Sequence, residues 1–146
     1  MTEQERKHIS EHFTLYEMTR SGMAIEHDLP NVPNLKHEQA LRDLAINILE
    51  PLRHHFGPII VSSGFRTQAV NKLVGGVPSS QHTRGEAVDI VVGNDDRALR
   101  LYSYVKNHLD FDQLILEPIG TEHPRWLHVS YTTRRRNRRE EIWMKR

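Results

Sequence analysis

Two histidines and an aspartate are the residues of this chain best suited to chemistry. The stretch SSQHTRGEAVDIVV, residues 79–92, contains His82 and Asp89, and the later stretch RWLHVSY contains His128. Asp89 interrupts an apolar run, where a buried carboxylate is costly unless a positive charge meets it. Two imidazoles and one carboxylate are a suitable ligand set for zinc and leave a fourth position open. The chain has no cysteine, so any metal must be held by histidine, aspartate or glutamate.

Strand alternation can bring these three side chains together. Residues 86–92 and 125–131 both read as strands, and the side chains of Asp89 and His128 each point to one face of their strand. If the two strands are neighbours in one sheet, both side chains reach the same cleft, and His82 on the preceding loop can close over them. The alternative is a salt-bridged aspartate with two unrelated histidines, and the spacing alone leaves both interpretations open.

Arg66 is a further candidate for the site. It follows Gly64 and the apolar stretch 59–63, which places a permanent cation at a strand end. A guanidinium can hold a carboxylate through two hydrogen bonds or polarise a peptide carbonyl, although a surface salt bridge is the alternative role. Ser80 and Gln81 can hydrogen-bond a substrate or orient the histidine that follows them, and the orienting role is favoured.

The rest of the pattern predicts the elements that position these residues. Thr14 and Glu17 have the form of a capping box, which predicts a short helix ending near Gly22. Pro51 should kink the helix in which it lies, and Asp95 or Asp96 should cap the last helix. The other helices are expected at 36–55, 67–74 and 95–108, and the strands at 59–63, 86–92, 111–117 and 125–131. Early helices followed mostly by strands predict an α+β fold, with an antiparallel or mixed sheet and helices packed on one side.

The composition bounds the class of protein. The chain has 146 residues, 37% hydrophobic and 27% charged, which predicts one globular domain over residues 1–146. It contains no run of about eighteen apolar residues, so no membrane span is expected. The first residues are polar and lack the apolar segment of a secretory signal, so we expect synthesis in the cytoplasm.

The C-terminal segment, residues 134–146, is strongly basic, with seven arginine or lysine residues against two glutamates. Such a segment can meet phosphates or an anionic polymer of the cell envelope, or it can be a solvated final strand or a frayed end. Trp143 is its only aromatic residue, so nucleic-acid binding is not expected. If binding did occur, it would depend strongly on salt and disappear on truncation after Thr133.

Three blocks of the sequence resemble a known family. SGFRT at 63–67, SQHTRGEAVDI at 80–90 and WLHVSY at 126–131 are similar to motifs of the zinc D-alanyl-D-alanine carboxypeptidases, a family that includes some phage endolysins. The likeness covers roughly residues 10–131, and its middle block is the most specific part. It implies a hedgehog/D-Ala-D-Ala peptidase-like fold. It also implies a site with Arg66 beside the metal, holding substrate, and three zinc ligands: His82, Asp89 and His128.

The general base is where the chain departs from this family. Many members place an acidic residue or a histidine a few positions before the last zinc ligand, where this chain has Arg125 and Trp126. We predict Glu117 as the replacement, because a strand pairing with 125–131 would bring it near the last histidine. A solvated carboxylate at a strand end is the alternative. Three other side chains are weaker candidates, two on the connecting loop and one expected to make a structural hydrogen bond or cap: Glu122, His123 and Asp112.

These observations favour a zinc peptidase that cleaves amide bonds in peptidoglycan stem peptides next to D-alanine, as a carboxypeptidase or an endopeptidase. Zinc and Arg66 would stabilise the oxyanion, and Glu117 would carry the proton. The alternative is a zinc-containing module that binds cell-wall peptides or a protein partner without cleaving them. Action at the cell wall would need an export route outside this chain, and release of the phage or prophage type would fit.

Overall fold

The apolar repeat in the middle of the chain forms the longest helical segment, as predicted. In the computed structural model, which describes residues 2–143, this segment has three consecutive parts: an α-helix, a π-helical turn over Ala45–Leu49 and a second α-helix. In the π turn, the Glu50 N–H donates to the carbonyl oxygen of Ala45, five residues back. Pro51 follows at once, and a proline ring would otherwise clash with the carbonyl four residues earlier. The predicted kink therefore takes the form of a π turn, and the helix continues.

Seven α-helices and a 3₁₀ turn lie within the described residues. The helices are α1 (Glu3–Arg6), α2 (Leu15–Thr19), α3 (Gly22–Glu26), α4 (Leu35–Leu44), α5 (Glu50–Phe56), α6 (Gln68–Leu73) and α7 (Asp95–His108), and the 3₁₀ turn is Gln81–Arg84. The five strands are β1 (Val61–Ser63), β2 (Ala87–Val91), β3 (Gln113–Glu117), β4 (Trp126–Ser130) and β5 (Glu140–Ile142). None of the described helices is long and apolar enough to cross a bilayer.

The strands form one mixed sheet in the order β1-β2-β4-β3-β5. The pairs β1–β2, β2–β4 and β3–β4 are antiparallel, and β5 pairs in parallel with β3 at the edge. One face is apolar and shares a single core with α4, the π turn, α5 and α7. Six residues of that face, from the three central strands, are fully buried: Val88, Ile90, Leu114, Leu116, Leu127 and Val129. The α+β prediction, with a mixed sheet and helices packed on one side, is therefore confirmed.

Two helix boundaries differ from the sequence prediction. The capping box of Thr14 and Glu17 is present, but α2 ends at Thr19 and a separate helix begins at Gly22. The Ser21 side chain accepts a hydrogen bond from a backbone N–H of this new helix, so it starts a second helix where we expected an end. The cap of α7 is Asn94, one residue before the predicted aspartates, which instead lie in the first turn, where the helix dipole favours them.

The basic C-terminal segment ends the sheet, as far as the described residues reach. Residues 140–142 form β5, and Met144, Lys145 and Arg146 lie outside the described part of the chain. Before β5, the arginines bind carboxylates that belong to other elements. Arg134 binds Glu86, and Arg138 binds Asp112. This stretch is therefore packed on the fold, and not a frayed end.

Candidate metal centre

The sheet register brings the three predicted metal ligands together. Asp89 on β2 lies directly opposite His128 on β4, so their side chains share one face of the sheet, opposite to the core. His128 Nδ1 is 3.1 Å from Asp89 Oδ1, and His82 Nε2 is 3.4 Å from the same oxygen. The potential ligand atoms of the three residues all lie within 4.8 Å of one another. One divalent ion could therefore contact all three.

His82 is oriented by the backbone of a neighbouring loop. Its Nδ1 is 2.6 Å from the carbonyl oxygen of Gly64. A carbonyl oxygen can only accept, so Nδ1 carries the proton and Nε2 keeps its lone pair toward Asp89. Gly64 can take this position because it has no side chain: a Cβ there would overlap the carbonyl oxygen of Met18. Gly85 ends the 3₁₀ turn in the left-handed conformation, at φ +73°, and leads directly into β2.

The electrostatics of Asp89 suit a ligand that must be ionised. Its side chain is only 15% exposed. Burial alone would raise the pKa of this carboxyl, but its contacts with His128 and His82 outweigh burial and hold the pKa well below its usual range. An ionised carboxylate with two imidazoles is the donor set that zinc prefers in open, three-ligand sites, so the residues present fit this metal.

A second group of possible ligands lies on the surface, and ordinary contacts explain it. Glu11, His12 and Glu50 bring ligand atoms close together. Glu50 accepts hydrogen bonds from the Ser10 hydroxyl and from both the backbone and the ring of His12. These bonds lower the pKa of Glu50 despite the opposing effect of burial. The group is therefore an ion pair that joins the N-terminal segment to the long helix.

Arg66 and Glu117 flank the three ligands, and neither is used structurally. Both side chains are half-buried, and neither makes a hydrogen bond or ion pair within residues 2–143. Burial lowers the pKa of Arg66, while the charges of Asp89 and Glu117 oppose this. Burial and the charge of Asp89 raise the pKa of Glu117, and His128 and Arg66 among other groups partly offset the rise. Leaving two partly buried charged side chains without a hydrogen bond costs stability, which is typical of groups kept for a ligand or a reaction.

Ser80 and Gln81 mainly support the turn that carries His82. The Ser80 hydroxyl oxygen accepts a hydrogen bond from the His82 N–H, which caps the 3₁₀ turn. Gln81 is buried, and its side-chain Nε2 donates to Asp112 Oδ2 at 2.7 Å. Its Oε1 is buried with no hydrogen-bond partner in the described part of the chain. Gln81 therefore has one buried acceptor whose partner the described residues do not supply.

A cavity lies on each side of the three ligands. The first, of about 330 Å³, is lined by Arg66 and Asp89 together with residues of α3 and β1. The second, of about 450 Å³, is lined by His128, Ser80 and Gln81 and also by three arginines. Both volumes are in the range of small-ligand sites. The ligands therefore lie between two spaces that could hold the two sides of a substrate.

Sequence reasoning missed the residues that complete the second cavity. Arg84, Arg135 and Arg138 line it, and Arg135 and Arg138 both bind Asp112, whose side chain is fully buried. The structural role that the sequence predicted for Asp112 agrees with these contacts. Arg135 and Arg138 stood out only as part of a charge run and Arg84 did not stand out, because nothing local shows which carboxylate or cavity a distant arginine will meet. Glu117 lies opposite Trp126, two residues along the sheet from the pair of Ile115 and His128.

A comparison with protein families gives a match over most of the chain. The family model described as Peptidase M15 matches residues 11–130, which include every predicted site residue. The match ends before the basic segment 134–146. No curated protein matches the chain.

Proposed function

The chain belongs to the Peptidase M15 family of metallopeptidases, and on this premise we propose that it uses zinc to hydrolyse amide bonds in peptidoglycan stem peptides. The bond next to D-alanine is the proposed target, at a peptide end or at a cross-link. The single observation that carries the proposal is the convergence of His82, Asp89 and His128 between two cavities, with the side chains of Arg66 and Glu117 left free beside them. A merely structural cluster would have no need for these two unpaired charges.

Each side chain has a task that follows from its position. His82, Asp89 and His128 would hold the zinc, which would supply an activated water nucleophile at neutral pH and polarise the scissile carbonyl. Arg66 donates hydrogen bonds to the carbonyl oxygen as negative charge develops there. Glu117 accepts a proton from the attacking water and passes it to the leaving amine. The raised pKa of Glu117 suits a carboxyl that must both accept and release a proton.

Ser80 and Gln81 have supporting roles in this reaction. Ser80 holds the turn that presents His82, and Gln81 offers its free Oε1 to a backbone N–H of the substrate. In this arrangement the peptide lies across the three ligands, with one side in each cavity.

A zinc-containing binding module is the second candidate function. It is favoured by Arg125 and Trp126, which stand where many related peptidases have an acidic residue or a histidine. The unpaired carboxylate of Glu117 argues against it. A binding module would release no new amino groups from peptidoglycan, and a peptidase would.

Replacing Glu117 with Gln tests the proposal. The variant keeps the shape of the side chain and removes its proton-accepting charge, so we expect zinc content to stay at the wild-type level. Hydrolysis of purified muropeptides should fall by about 10²-fold or more. Metal analysis and mass spectrometry of the digest measure the two quantities.

The matched control is Glu26→Gln, which removes the same charge from an exposed position in α3 and should keep wild-type activity. If Glu117→Gln retains both zinc and full hydrolysis, Glu117 is not the base. If the wild-type protein with bound zinc releases no amino groups, the peptidase proposal is wrong and the binding module is favoured.

A further inference from the structure

The cavity beside His128 has a wall of arginines that the proposed reaction does not use. Arg84, Arg135 and Arg138 line it, and no aspartate or glutamate is among its lining residues. Arg84 comes from the end of the 3₁₀ turn, and the other two come from the segment between β4 and β5. That segment begins after residue 130, where the family match ends. The wall is therefore built partly by a stretch outside the part of the chain that matches the family.

The charges of this wall do not cancel. Arg135 and Arg138 both bind the carboxylate of Asp112, at 2.6 and 2.8 Å, so two positive charges meet one negative charge. The Asp112 side chain is fully buried behind them, while both arginines stay partly exposed. The side chain of Arg84 has no hydrogen bond or ion pair within residues 2–143. The cavity is thus lined by an excess of positive charge that faces solvent, which favours an anion.

The hydrogen-bonding groups in the cavity narrow the chemistry of this anion. A guanidinium presents paired N–H donors whose spacing matches a carboxylate. Gln81 also lines the cavity, with its Nε2 committed to Asp112 and its Oε1 without a partner in the described chain. A carboxylate next to an amide N–H would satisfy both kinds of group. His128 lines the same cavity, so an anion bound there lies close to the metal ligands.

We propose that this cavity binds a free carboxylate of the peptide substrate, so that the protein selects stem peptides with a carboxylate close to the scissile bond. The inference rests on the proposed function and names a determinant of its specificity. Arg66 is a separate cation, because it lines the cavity on the other side of the ligands. A stem peptide offers two such carboxylates, the α-carboxyl of its D-glutamate and its C-terminus, and either one could fill the cavity.

Three synthetic peptides distinguish these sources. The first is the pentapeptide L-Ala-γ-D-Glu-L-Lys-D-Ala-D-Ala with both carboxylates free, the second is amidated at the D-glutamate, and the third is amidated at the C-terminus. Binding is measured by calorimetry on the zinc-loaded Glu117→Gln protein, so that hydrolysis does not interfere. The same measurements are made with Arg84→Gln added and, as a matched control, with Arg136→Gln added. Arg136 carries the same charge as Arg84 and lies in the segment between β4 and β5, but it does not line the cavity.

We expect one of the two amidations to weaken binding about tenfold, which is the size of a lost charge-assisted hydrogen bond. Arg84→Gln should weaken binding of the unamidated peptide to a similar extent. It should also reduce the preference for the unamidated over the amidated peptide to less than about twofold, while Arg136→Gln should leave that preference unchanged. The inference is overturned if neither amidation weakens binding, if no peptide binds, or if Arg84→Gln weakens all three peptides equally. Digestion of the same peptides by the wild-type protein separates the two proposals. Selective binding without cleavage would overturn the peptidase and leave the carboxylate site.

Discussion

The carbonyl oxygen of Gly64 decides which nitrogen of His82 can bind a metal. By accepting the Nδ1 proton at 2.6 Å, it leaves Nε2 as the ligand atom and fixes the plane of the ring. The loop that carries this carbonyl is itself held by the Phe65 N–H, which donates to the Met18 carbonyl oxygen at 2.7 Å. The close approach of the two backbones is possible only at a residue without a Cβ. The orientation of this candidate ligand therefore depends on a glycine that is not itself one of the candidate ligands.

Replacing Gly64 with Ala should disturb this arrangement. The new Cβ would overlap the Met18 carbonyl oxygen, so the loop must shift and the hydrogen bond to His82 must lengthen. We expect zinc affinity to fall about tenfold and the free energy of unfolding to fall by about 2 kcal/mol. Competition with a chelator and thermal unfolding measure the two effects.

The control for this change is Gly22→Ala. A Cβ at Gly22 meets no atom within 4 Å, and the residue lies in a helix. This variant should keep its zinc affinity. Equal affinities of the Gly64 variant and the wild type would show that the carbonyl of Gly64 does not orient the ligand.

Several side chains of the site could be predicted from sequence because strand alternation is a local rule. Alternation places Asp89 and His128 each on a definite face of its own strand, and the register of the sheet puts the two residues opposite each other. The contact between His82 and Gly64 could not be predicted, because it joins a turn to a loop 18 residues earlier. The arginines of the second cavity were missed for the same reason. Long-range pairs between charged residues leave no periodic signal.

At the scale of elements, Asp112 joins three parts of the fold. It precedes β3, accepts a hydrogen bond from Gln81 in the 3₁₀ turn, and binds Arg135 and Arg138 before β5. Burial alone would raise the pKa of this carboxyl, but the hydrogen bonds from the two arginines, together with that from Gln81, hold the pKa far below its usual range. The turn that presents His82 is therefore tied to the C-terminal strand through one carboxylate.

The stability that Asp112 contributes should depend on pH. Its pKa is lower in the folded state than in the unfolded chain, so the contribution is complete above the unfolded value of about 4 and is lost as pH falls toward the folded value. We expect Asp112→Asn to lower the thermal midpoint by about 5 °C at pH 7, with a difference from wild type that shrinks below about pH 4. Thermal unfolding followed by circular dichroism at pH 7, 5 and 3 measures this.

Asp96→Asn serves as the control, because its carboxylate is 83% exposed and forms only a surface pair with Arg100. It should leave the midpoint nearly unchanged. A midpoint difference for Asp112→Asn that is the same at pH 7 and pH 3 would contradict the linkage.

At the scale of the whole molecule, the fold class was predictable and the sheet edge was not. The order of helices and strands and the apolar repeat of α4 and α5 predicted an α+β fold, and single boundaries moved by a few residues. The parallel pairing of β5 with β3 joins residues 140–142 to residues 113–115, which are far apart along the chain. The sequence of β5, EEI within a run of charged residues, has no strand pattern. Parallel pairing depends on the path by which the chain returns to the sheet. Here the returning segment is held by ion pairs between its arginines and the buried carboxylates of Glu86 and Asp112.

Truncation after Thr133 tests whether this segment is part of the fold. The deletion would leave Glu86 and Asp112 buried without their arginine partners and would remove the Arg139 guanidinium, 4.6 Å from the centre of the Phe111 ring. Because an unpaired buried carboxylate is costly, we expect the thermal midpoint to fall by more than about 10 °C and zinc affinity to fall with it. Truncation after Arg139 removes β5 but keeps these ion pairs, so it should cost less than half as much. Equal midpoints for the full chain and the chain truncated after Thr133 would mean that the segment contributes nothing to the fold. The arginines would then be free for an external polyanion, whose binding would weaken steeply with salt.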